Sequence, residues 1–143
     1  MNYQELCNQH QKEAEEFTDG KLFFVFGSTK EEVTEKLYSE YGVTPDKIIG
    51  IGAGGYILKE YYPDLQKLLL KQADEKKEYT LANIYEVVLY ELWNYEIYIS
   101  LSYDLYGLCS EILDLTDDEI KANTDEINRA WRDYKREFEK LNL

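Results

Sequence analysis

The residues most able to do chemistry by type and spacing begin with Gly50-Ile51-Gly52-Ala53-Gly54-Gly55, which spells G-x-G-x-x-G. In a dinucleotide fold this loop follows a strand and opens a helix, whose N-terminal amides meet the pyrophosphate. Here the glycines run into Tyr56-Ile57-Leu58, which reads as a strand, and the next helix waits for Pro63. The acid that should hold a ribose about 20 residues on would be Asp74, inside a solvated charged segment. The glycines therefore read as a hairpin joint. Gly52, Gly54 and Gly55, with backbone amides able to face an anion, give the alternative reading of a nucleotide- or phosphate-binding, signal-sequestering protein.

Other constellations are sparse. His10 is the only histidine, and Cys7 and Cys109 lack neighbours at metal spacing, so no metal or cofactor is expected. No nucleophile elbow, zincin or phosphate-loop motif is present. Glu86, Glu91 and Glu96 are available carboxylates, but five-residue spacing does not align Glu86 with Glu91 on one helical face. Glu91 or Glu96 is read as bonding a tyrosine hydroxyl or a backbone amide. No catalytic residue is assigned, and the protein is read as not an enzyme.

Charge and tyrosine are the unusual features. The 143-residue chain carries 16 Lys+Arg against 29 Asp+Glu, a net charge of −13, which disfavours direct nucleic-acid binding. Residues 104–126 hold eight acids (Asp104, Glu111, Asp114, Asp117, Asp118, Glu119, Asp125, Glu126) and one base, Lys121. Such a field steers a basic partner. Ten of the 14 tyrosines fall between Tyr56 and Tyr106, and tyrosine gives rigid contact area with a polar tip. Asp114, Asp117, Asp118, Glu119, Tyr98, Tyr103 and Tyr106 are thus the expected partner-binding residues.

The elements that must position these groups follow from periodicity. Residues 2–17 read as a helix. Leu22–Phe26 reads as a buried strand, and Ser28-Thr29-Lys30-Glu31 as a capping box opening a helix that Gly42 ends. Ile48–Gly52 and Tyr56–Leu58 read as a hairpin. A helix follows Pro63, and another starts at Thr80. Ile97, Ile99 and Leu101 alternate with Tyr98, Ser100 and Ser102 as a half-buried strand. Residues 105–113 read as a short helix. Thr116-Asp117-Asp118-Glu119 is a second capping box, and Ile127, Trp131, Tyr134, Phe138 and Leu141 mark a last helix. The expected fold is α+β, a small, mostly antiparallel sheet of about four strands with helices packed against it, in a single domain over 1–143.

A chain of this length buries roughly 70% of its unfolded surface. Its 44% hydrophobic content is too high for a disordered acidic tail. The apolar runs are far short of the roughly 20 residues that cross a bilayer. The N-terminus is too polar for a signal peptide, and the two distant cysteines read as reduced thiols, so a cytoplasmic, membrane-free protein is expected.

The aromatic strand Phe23–Phe26, the hairpin Ile51-Gly52-Ala53-Gly54-Gly55-Tyr56-Ile57 and the stretch Glu91-Leu92-Trp93-Asn94-Tyr95-Glu96 resemble a family of small uncharacterised proteins of phages and mobile elements of Gram-positive bacteria. That family often has His where this chain has Tyr95, which counts against a shared metal or acid–base role there. The resemblance implies a mobile-element setting and no established activity. Together with the charge it suggests a non-enzymatic, anti-CRISPR-like inhibitor that occludes a basic, nucleic-acid-handling host defence effector with its acidic, tyrosine-rich surface. A self-associating structural or regulatory protein of the element is a further alternative.

Overall fold

The computed structural model describes residues 1–95 and 103–141. In chain order these form α1 (Tyr3–Thr18), β1 (Leu22–Phe24), α2 (Lys30–Tyr41), β2 (Ile48–Gly52), β3 (Gly55–Leu58), α3 (Tyr62–Ala82), α4 (Ile84–Asn94), α5 (Tyr103–Gly107), α6 (Asp117–Ala122) and α7 (Thr124–Leu141). A π-helical turn, Leu108–Ile112, continues α5. The α+β class is as expected. The sheet has three antiparallel strands in the order β1-β3-β2, not about four, and the further expected strand, 97–101, lies outside the described residues. The chain divides into two compact units, 7–73 and 1–6 with 74–143, the divisions falling within α1 and α3.

The unit of residues 7–73 holds the sheet. Val25, Leu37 and Ile48 form its buried cluster, with Phe23, Val33, Val43, Tyr56 and Leu58 packed against them. Helix α2 starts one residue later than the sequence suggests. Thr29 caps it by accepting from the Glu32 amide (3.1 Å), while the Glu32 carboxylate accepts from the Ser28 amide (2.9 Å). That amide and Lys36 hold the Glu32 carboxyl below its usual range. Gly42 ends the helix in the left-handed conformation, as expected.

The glycine segment is a hairpin. Ala53 (φ 50°) and Gly54 (φ 76°) form the two-residue, positive-φ turn that matches strand twist. A bulge between Gly50 and Gly52 shifts the register. The Gly54 carbonyl accepts from the Val25 amide (2.9 Å), tying β1 to the turn. The expected buried strand 22–26 is corrected by this pairing: it is a three-residue edge strand, and Phe24 and Phe26 are 53% and 65% exposed, leaving Val25 buried. An apolar run marks burial only where neighbours cover both faces.

The other unit is helical among its described residues. Helix α4 packs along α7, and Val87, Val88, Leu92, Ala130 and Tyr134 are wholly buried. With the buried Ile84 and Ile127 they recur at spacings of three and four, which gives each helix one apolar face. The Trp93 and Tyr134 rings meet edge to face with centroids 4.8 Å apart. The helix expected to start at Thr80 starts instead at Ile84. Thr80 is buried in the last turn of α3, where its hydroxyl donates to the Lys76 carbonyl (2.7 Å), a local bond that keeps threonine inside a helix.

A Cβ at Gly54 would lie 2.3 Å from the Phe26 ring and would force a side chain into positive φ. Gly54→Ala should therefore cost about 1–2 kcal/mol. Gly50→Ala, with its nearest contact an ordinary 3.6 Å from Tyr56, should cost less. Urea denaturation followed by far-ultraviolet circular dichroism checks both.

Candidate partner-binding surface

The acids of 104–126 are set out by the helix ends that carry them. The π-turn after α5 closes with Leu115 N–H donating to the Cys109 carbonyl (2.9 Å), and Asp114 makes the reversal at φ 54°. Aspartate is among the few non-glycine residues that visit this conformation readily. Thr116 then caps α6. Its hydroxyl accepts from the Glu119 amide (3.1 Å), and the Glu119 carboxylate accepts from the Thr116 amide (2.9 Å), the expected capping box. Asp117, Asp118 and Glu119 fill the first turn, where the helix dipole favours them.

Lys77, from α3, decides which of these charges stay free. Its ammonium lies 2.7 Å from Glu119 Oε1 and donates to the Asp114 carbonyl. The bond from Lys77, with the Thr116 amide, lowers the Glu119 carboxyl. The exposed Tyr106 donates its hydroxyl to Asp117, which pushes the phenol above its usual range. Glu126 pairs with Arg129 at 2.8 Å. The carboxylates of Asp114, Asp118 and Asp125 are exposed and have no ion pair or hydrogen bond among the described residues. Thus the structure brings Asp114, Asp117, Asp118, Glu119 and Tyr106 together around α6. Tyr98 and the side chain of Tyr103 lie outside the described residues.

The bases nearby are mostly engaged. Arg129 stacks on the Tyr85 ring at 3.9 Å, and Tyr85 donates to Asp133, which also pairs with Arg136 (3.1 Å). The Tyr85 hydroxyl, bonded to Asp133, is pushed up, and Asp133 is held down. Overall this unit carries 18 acids against 8 bases, a net charge of −10, whereas 7–73 carries 11 against 8.

The other candidates take structural places. Gly52 is open, Gly54 lies under the Phe26 ring, and Gly55 is buried opposite Phe24. A short 3-10 turn, Lys59–Tyr61, separates β3 from α3, so no helix opens at these glycines. Gln72 is buried and donates to the His10 carbonyl (2.9 Å). Cys109 is fully buried, and desolvation pushes its thiol up to about 11, so it is an inert thiol. Among the described residues no group of three or more His, Cys, Asp or Glu could hold a metal ion, and no helix is long and apolar enough to cross a membrane.

The carboxylate that anchors a tyrosine and an amide is Glu86, not Glu91. Both Glu86 oxygens accept from the Tyr79 hydroxyl (2.5 and 2.9 Å), and one accepts from the Tyr3 amide (2.8 Å). Tyr79 lies in the last turn of α3 and Glu86 in the first turn of α4, and the break at Asn83 between the two helices brings them together, which no single helical period signals. Glu91 is 5% exposed. Burial raises its carboxyl, partly opposed by Lys76 and by Asn94, whose amide donates at 3.5 Å. Glu96 lies outside the described residues.

A model of a family of unknown function, DUF7659, matches residues 2–137. The chain belongs to that family. The match spans both compact units, including the hairpin, α6 and most of α7. No curated protein and no solved structure matches the chain.

Two carboxylates give pH-dependent expectations. The bond to Glu86 raises Tyr79 to about 12, against about 10 for an unfolded tyrosine. The stability from this pair is full below pH 10 and is lost as pH rises through 12. Glu86→Gln should cost about 1.5 kcal/mol at pH 7 and flatten that alkaline decline, read from urea midpoints across pH. Glu91 also has a raised folded-state pKa, so its favourable contribution exists at acid pH and disappears once it ionises. Glu91→Gln should be more stable than the parent at pH 7, with the difference vanishing in acid.

Proposed function

We propose that this protein works by binding rather than by chemistry: the acidic surface around α6 engages a basic protein partner of the kind that handles nucleic acid, and occludes the site where that partner would hold phosphate. The observation that supports this reading is the set of exposed carboxylates left over by the pairs that Lys77 and Arg129 make, with Lys121 the one base within 104–126. Lys77 is spent on Glu119 and Arg129 on Glu126, while among the described residues Asp114, Asp118 and Asp125 have no ion pair or hydrogen bond to their carboxylates and Asp117 accepts from a tyrosine hydroxyl. The excess of ten negative charges in this unit supplies a field that would steer a lysine- and arginine-lined cleft and raise its association rate. Tyr106, 54% exposed and fixed by Asp117, offers a rigid amphipathic contact beside the acids. The resemblance to mobile-element proteins supports reading such a binder as an inhibitor of host defence.

The triple variant Asp114→Asn, Asp118→Lys, Asp125→Lys leaves the Lys77–Glu119 pair intact and removes the free charges. Tagged wild type in host lysate should retain basic nucleic-acid-binding proteins. The triple variant, raised salt, or preloading the partner with DNA should each reduce that retention by about tenfold or more, as quantified by mass spectrometry. Equal recovery by wild type and variant would remove the acidic surface from the mechanism.

A further inference from the structure

Among the described residues the three-stranded sheet has an open side. β3 is central, and its main-chain groups alternate between two neighbours. Leu58 N–H donates to the Lys21 carbonyl and the Gly54 carbonyl accepts from Val25, so positions 54, 56 and 58 serve β1. Positions 55 and 57 therefore serve β2, through Gly52 and Ile49. That phase turns the N–H and C=O groups of Ile48 and Gly50 outward, and β2 pairs with no other strand among the described residues. Gly50, Ile51 and Gly52 are exposed.

A groove of about 440 Å³ lies between this strand and α2. Val33, Leu37, Ile48 and the Tyr56 ring give it an apolar lining. Gly50 carries no side chain to fill it, and Tyr56 approaches to 3.6 Å of where a Cβ would stand. Among the described residues Lys30, at the start of α2, is the one charged residue lining it, and the Glu32 carboxylate bonded to the lining Ser28 amide is paired with Lys36. The negative end of a ligand is thus admitted here, although the chain as a whole is strongly acidic.

We propose that the outer edge of β2 takes an extended segment of a partner protein as a fourth strand, which sets an apolar side chain in the groove beside Gly50 and an acidic residue against Lys30. The outward Ile48 and Gly50 groups fix the backbone of the segment, because unpaired strand edges recognise extended main chain. The groove fixes the side chain, because in an added strand alternate residues face α2. A second copy fits less well. Pairing of two β2 edges sets two chains of charge −13 against each other. This surface lies within residues 7–73 and does not depend on the acidic surface around α6.

The test uses the full chain and a random peptide library displayed on phage. Enriched peptides should alternate apolar residues with others and carry one Asp or Glu. A synthetic consensus peptide should bind wild type and slow exchange of the Gly50 amide. Thr34→Trp, which fills the groove from the half-buried face of α2, should weaken binding about tenfold or more. Lys30→Glu should abolish the preference for an acid, and Gly50→Pro, which removes the outward donor, should also weaken binding. Should Gly50→Pro fail to fold, Thr34→Trp and the Gly50 exchange rate decide. The proposal is overturned by any of three results: no consensus is enriched, the consensus binds Thr34→Trp as well as wild type, or Gly50 exchange is unchanged by peptide. Light scattering showing a wild-type dimer that Thr34→Trp dissolves would also overturn it, in favour of self-pairing.

Discussion

A single ammonium group, on Lys77, reaches from α3 to the Asp114 carbonyl and the Glu119 carboxylate, and the presentation of the acidic surface follows from it. The two acceptors bracket the loop that joins the π-turn to α6. Held at both ends, this loop sets α6 with its first turn toward solvent. The pair is a quarter exposed, so its energetic weight is modest and falls with salt. Its geometric weight is larger: it consumes Glu119 and fixes the helix start, and Asp117 and Asp118 make no ion pair among the described residues.

The tyrosines divide in a way that charge alone does not suggest. Tyr3 and Tyr134 are fully buried and make ring contacts with Tyr90 and Trp93. Tyr79, Tyr85 and Tyr106 each donate to a carboxylate, on Glu86, Asp133 and Asp117. In that second group the phenol supplies a donor that spares a lysine or arginine. A chain so rich in acid and poor in base can thereby satisfy carboxylates without neutralising them, and the surface stays negative while its side chains are ordered.

What the sequence makes legible is whatever is decided within a few residues. The positive-φ turn at Ala53-Gly54, the left-handed stop at Gly42, the Thr116 box and the apolar face of α7 are local, and each stands where spacing puts it. The errors come from distance. Exposure of Phe24 and Phe26 depends on which strand flanks β1, 31 to 35 residues away in sequence. The role of Glu86 depends on Tyr3, 83 residues earlier, and Lys77 meets Asp114 across 37. Thr80 looks like a helix start because its type favours caps, yet its hydroxyl closes on the carbonyl four residues back. At the candidate surface the acids are visible as a run and Arg129 stands three residues from Glu126, whereas Lys77, which pairs with Glu119, comes from another helix, α3.

Both tryptophans of the chain, Trp93 and Trp131, lie in the helical unit, where their rings pack on Tyr134. Intrinsic fluorescence excited in the indole band therefore reports on that unit alone and is blind to the hairpin sheet. Backbone ellipticity sees both. The molecule thus carries its own pair of optical channels for asking whether its two parts come apart in one cooperative event or in succession.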